Sequence, residues 1–174
     1  RDQLIRLNSF WITQLADPTV TMREKMTLFW HDHFACRVRS AYLAQLQNNT
    51  LRKHALGNFR NLLFAISKDP GMLQFLNNQQ NKKDSPNENF AREILELFTL
   101  GRGHYTENDI KESARAFTGW SFDPLTGDFV FRDRVHDIGL KSFKGKNGRF
   151  SGEDILDIIL DDKQTARFII EKIW

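Results

Sequence analysis

The sequence predicts a mainly α-helical globular domain of seven or eight helices, with one small β-hairpin inserted near residues 120–144. Helix-start signals recur along the chain, each followed by apolar residues three and four apart, which is the mark of a half-buried helix. One stretch, Trp120 to Gly148, alternates around a Pro- and Gly-containing turn instead. At 174 residues the chain is long enough to bury about 70% of the surface its unfolded form exposes, so a core needs no covalent staple.

Leu4, Leu7, Trp11 and Leu15 mark the first helix. Thr21-Met22-Arg23-Glu24 reads as a capping box opening the second, which carries Met22, Met26, Phe29 and His33 on one stripe. On the helical wheel His33 lies at the centre of that stripe and is expected to be buried, whereas His31 points almost opposite and is expected to be exposed. Gln45 to Asn49, rich in amides, reads as an exposed connection before a long helix from Leu51 to Ile66. Asp69-Pro70 offers a cap followed by proline at the first helical position. Asn77 to Lys83 reads as a second exposed connection.

Ser85-Pro86-Asn87-Glu88 combines a capping box with proline at the first position, opening a helix with Phe90, Ile94, Leu97 and Phe98 on its core stripe and Gly101 at its end. Thr106-Glu107-Asn108-Asp109 starts another, which stops at Gly119. Trp120-Ser121-Phe122 and Phe129-Val130-Phe131 flank a turn from Asp123 to Asp128, the expected hairpin, and a glycine-punctuated loop follows. Ser151-Gly152-Glu153-Asp154 and then Asp162 introduce the last two helices.

Composition excludes several classes. The single cysteine, Cys36, cannot form an internal disulfide, and no apolar run approaches the ~20 residues that cross a bilayer. Twenty-five Lys and Arg against twenty-two Asp and Glu give +3, but nearly every helix mixes both signs, unlike the basic face of a nucleic-acid binder. The nearest basic cluster, Lys141, Lys144, Lys146 and Arg149, reads as a solvated loop. The chain opens at Arg1 without a leader and stops in an apolar pattern at Trp174, as a piece of a longer polypeptide folded as one domain over residues 1–174 would.

Four side chains are candidates for catalysis: His33, Glu93, His136 and Asp137. Histidine and carboxylate serve as general bases or as ligands of a divalent metal, the one cofactor such a set suggests. Glu93 borders the apolar stripe, and a half-buried carboxylate needs a partner, expected to be Arg115 or His33. Candidates for binding are Trp120, as part of an aromatic surface with Phe122, Phe129 and Phe131, together with Arg115 and Lys141. No zinc-ligand spacing, phosphate-binding glycine loop or nucleophile elbow occurs.

Several of these residues lie in stretches that resemble a bacterial family known as the domain of unknown function numbered eighteen hundred. The matching segments are Phe29 to Phe34, Leu51 to Arg60, Pro86 to Gly101, Tyr105 to Asp109, Ala114 to Trp120 and His136 to Lys141, in the family's order and over nearly the whole chain. Where the family pattern has Leu-Asp-Asn, this chain has Leu76-Asn77-Asn78. Members of the family are typically longer, many carry N-terminal export signals, and they are often encoded beside a second family similar to sulfatases and alkaline phosphatases. The resemblance thus implies an extracytoplasmic location and no particular activity. Two readings follow, a binding or assembly module for a protein partner or an extracellular polymer, and a metal-assisted hydrolase with a His/carboxylate pocket. A domain that is purely structural within a longer protein is the third.

Overall fold

The computed structural model describes residues 2–17, 19 and 22–174 and contains nine α-helices and two antiparallel two-stranded hairpins among them. The mainly helical expectation is met. No helix among the described residues is long and apolar enough to cross a membrane. The chain divides into two compact units, residues 1–75 with 123–128, and residues 76–122 with 129–174.

The first unit holds α1 (Asp2–Ala16), α2 (Met22–His33), α3 (Ala41–His54), α4 (Phe59–Ser67) and α5 (Pro70–Phe75). The capping box expected at Thr21 lies outside the described residues. Within α2 the buried side chains are Thr27, Trp30 and His33, while Met22 is 62% exposed, so the apolar face is rotated from the expected Met22–Met26–Phe29 stripe. His33 is buried as expected. His31 is half-buried, because Trp11 of α1 packs edge-on against it with ring centroids 5.1 Å apart. Trp30 is the centre of this core: its ring meets Phe34 and Phe59, and its indole N–H donates to the Ala55 carbonyl at 3.0 Å.

That last bond depends on a break the sequence reading missed. Residues 51–66 form no continuous helix. Gly57 and Asn58 stop α3 and restart α4, the Asn58 carboxamide accepting from Arg60 N at 2.7 Å, as glycine past a helix end and asparagine at a cap are suited to do. Gln45 to Asn49 is likewise no exposed link. Ser40 caps α3 upstream, and Gln47 and Asn48 are buried inside that helix. The hairpin tip keeps close company with α3: Tyr42 Oη donates to Thr126 O at 2.8 Å, and a Cβ on Gly127 would meet Leu46 at 2.7 Å.

The second unit contains α6 (Asn89–Glu93), a π-helical segment (Ile94–Thr99), α7 (Glu107–Ala116), β1 (Trp120–Phe122), β2 (Phe129–Phe131), β3 (Lys141–Phe143), β4 (Lys146–Gly148), α8 (Gly152–Asp161) and α9 (Lys163–Ile173). The capping boxes at Thr106 and Ser151 and the Asp162 cap form as read. The Ser85 box does not. Glu88 stands at the N-cap of α6 without a side-chain cap bond, Asn87 Oδ1 accepts from Asn89 N at 3.0 Å, and Ser85 N is spent on Lys82 O at 2.9 Å. The wider π winding then shifts the helical phase, so Leu97 turns outward at 45% exposure while Phe98, Thr99 and Leu100 are buried.

β1 pairs with β2 as expected, Trp120 opposite Phe131. The loop after it is not irregular. β3 and β4 form a second hairpin whose two turn residues, Lys144 (φ 49°) and Gly145 (φ 75°), both take positive φ, the conformation that matches strand twist in a two-residue turn. Asn77 to Lys83, expected to be exposed, carries two of the most buried amides in the unit. Asn78 donates to Phe117 O and Trp120 O, each at 3.2 Å, and Asn81 to Ala114 O at 2.8 Å, so both close the carboxyl end of α7.

Asp69, the cap of α5, makes a measurable consequence of the first unit's packing. It accepts from Met72 N at 3.0 Å, yet it is 3% exposed and its Oδ2 has no hydrogen-bond partner among the described residues. Burial pushes its carboxyl from the ordinary 3.8 up to about 6, against the pull of the Met72 and Gly71 N–H groups. A folded pKa above the unfolded one means that the ionisation penalty is absent below about pH 4 and complete above about pH 6, an effect of about 3 kcal/mol. Urea unfolding of Asp69→Asn and the parent at several pH values is expected to show the difference moving in the variant's favour by about that much between pH 4 and 7. A pH-independent difference would contradict it.

Candidate functional site

Polar side chains gather in each of the two units. In the second unit, α7 ends in Arg115-Ala116-Phe117-Thr118-Gly119-Trp120, and Gly119 takes φ +84° where a Cβ would meet Arg132 O at 2.8 Å. The tight turn lets the 136–141 segment lie against the helix end. Arg115 Nε reaches Asp137 Oδ2 at 2.7 Å and Nη2 reaches Oδ1 at 3.3 Å, while Nη1 contacts both Glu112 oxygens and Leu140 O. Thr118 Oγ1 donates to Arg115 O at 2.6 Å and accepts from Asp137 N at 2.8 Å. His136 Nδ1 lies 2.9 Å from Thr118 O, a contact that requires the proton on Nδ1.

Lys141 completes this cluster from beneath. Its side chain is fully buried, and its ammonium donates to the Asp137 and Gly139 carbonyls. Burial lowers the Lys141 pKa, with Asp137 opposing. Burial also works against the Asp137 charge, but Arg115 and the Gly139 N–H outweigh it and hold the carboxyl below its usual range. The same ion pair raises Arg115. Thus the structure brings His136, Asp137, Arg115 and Lys141 together, and it directs their polar atoms onto one another and onto backbone.

The remaining predicted residues are placed elsewhere. Trp120 is 1% exposed, ringed by Phe117, Phe129 and Phe90, and Gly152 leaves so little room that a Cβ there would sit 2.4 Å from the indole. It is a core residue and no part of a surface, although Phe131 on β2 is exposed. His33 packs in the first unit among Phe29, Trp30 and Phe34. Glu93 is half-buried, and the expected pair with Arg115 is not formed because that guanidinium is committed to Asp137 and Glu112. Among the described residues the Glu93 carboxylate makes no hydrogen bond or ion pair, and burial, then Glu96, raises its pKa. Glu96 is shifted the opposite way by Tyr105 Oη at 2.7 Å and by Arg102.

The basic cluster is mostly neutralised. Lys144 bonds His104 O at 2.7 Å and Asp162 at 3.1 Å, Lys146 lies 4.0 Å from Asp161, and Lys141 is inside. Among the described residues no three His, Cys, Asp or Glu side chains converge as a metal-ion cage, so His33, Glu93, His136 and Asp137 do not supply one. Burial pushes the Cys36 thiol up to about 11, away from the thiolate form that nucleophilic attack uses.

The second place, which the sequence reading overlooked, is a cleft of about 510 Å³ in the first unit. Trp11 and Gln14 of α1, Glu24 of α2, and Gln45, Asn48 and Arg52 of α3 line it. Arg52 grips Glu24 through both carboxylate oxygens, at 2.6 and 3.1 Å, and Trp11 Nε1 donates to the same carboxylate at 3.2 Å. These bonds, Arg52 foremost, lower the Glu24 pKa. Asn48 is 8% exposed, and its Oδ1 has no hydrogen-bond partner among the described residues. The signal was present in the spacing. Gln45, Asn48 and Arg52 stand three and four apart, a polar stripe on one side of a helix that buries Leu43 and Leu51 on another.

A family model described as "Protein of unknown function (DUF1800)" matches residues 1–174. No curated protein and no solved structure matches the chain.

Asp137 is the carboxylate shared by the half-buried Arg115 and the buried Lys141. Asp137→Ala is expected to cost about 3 kcal/mol in urea unfolding at neutral pH, because the buried Lys141 ammonium stays desolvated without it while Arg115 keeps only Glu112. Since its folded pKa is depressed, that contribution is present above the usual carboxylate range and fades as pH falls through it. A loss below about 1 kcal/mol would show that the cluster does not hold the loop to α7.

Proposed function

The chain belongs to the DUF1800 family of proteins of unknown function, and we propose that it is a binding module working outside the cytoplasm, with its ligand taken in the cleft lined by α1, α2 and α3. The observation that carries this is the cleft itself, where the polar side chains of Gln14, Gln45 and Asn48 stand beside Trp11 and the exposed Phe10. The cleft falls within the roughly 300–1,000 Å³ of small-molecule sites. The export signals that accompany the family resemblance support the location.

The hydrolytic reading draws on a different feature. Glu93 and Glu96 stand three residues apart with pKa values moved in opposite directions, the arrangement that lets one carboxyl donate a proton while its neighbour stays ionised. His136 and Asp137, in contrast, are engaged with Thr118, Arg115 and backbone and add nothing to it.

Titration of ¹⁵N-labelled protein with mixtures of sugars, amino acids, short peptides and nucleotides separates the two. Shifts are expected to concentrate on the Trp11 indole and on the Gln45 and Asn48 carboxamides, with every added compound recovered unchanged. Conversion of a compound to product, suppressed by Glu93→Gln, would overturn the binding reading in favour of hydrolysis. Cell fractionation that finds the protein in the cytosol would overturn the location.

A further inference from the structure

We draw no further inference here: the strongest candidate, the exposed patch of Ile138 and Leu140 on the loop clamped to the end of α7, is an unpartnered apolar face, and nothing in the structure shows what covers it.

Discussion

The carbonyl groups of Ala114, Arg115 and Phe117 at the buried end of α7, and that of Trp120 in β1, all take side-chain donors, two of them beside a backbone N–H, and these contacts organise the second unit. Asn81 and Asn78 answer three of them with side-chain amides, and Thr118 answers the fourth with its hydroxyl. Each such group left bare would cost about 1–3 kcal/mol, so an amide-rich segment that looks soluble is drawn inside. Its own backbone is then tied down, Asn81 O accepting from Gly119 N at 3.1 Å and Asn81 Oδ1 from Asn87 N at 2.9 Å.

The same helix end explains the two most distinctive stretches of the sequence. Arg115 to Trp120 and His136 to Lys141 look like catalytic material when read in isolation, with a histidine, a carboxylate and two cations. Folded, they interlock. Thr118 bridges Arg115 O to Asp137 N, Asp137 holds Arg115, and the Lys141 ammonium threads between the carbonyls of the loop. Every polar atom so used is withdrawn from a substrate. The side chains that the loop leaves outside are Ile138 and Leu140, both more than 70% exposed.

The first unit follows another logic. Its core joins the rings of Trp30 and Phe34 to aliphatic side chains of α3, α4 and α5, and the Trp30 indole N–H is bonded at the break between α3 and α4. Polar groups do enter it, at Thr27, His33, Gln47, Asn48, Ser67 and Asp69, and an oxygen of each of Asn48, Ser67 and Asp69 is left without a hydrogen-bond partner among the described residues. Asp69 is tied to a helix cap, and its orphan oxygen is explained by the geometry of that cap. Asn48 differs from Ser67 in lying at the wall of the cleft.

What the sequence by itself determined were features that act over three or four residues: the caps at Asp69, Thr106, Ser151 and Asp162, the turn from Asp123 to Asp128, and the helical character of the whole. A hydroxyl or carboxylate reaches its own helix start whatever the rest of the chain does. Glu93 illustrates where that reach ends, since its half-buried position was legible from the stripe beside it whereas its neighbours were not. The π winding at Ile94–Thr99, the burial of Asn78 and Asn81, and the partnership of Arg115 with Asp137 were decided by tertiary structure alone. Asn81 and Ala114 are 33 residues apart, and Glu24 and Arg52 are 28 apart. The fate of a buried polar group depends on which distant group is brought to it, and local periodicity carries no record of that meeting.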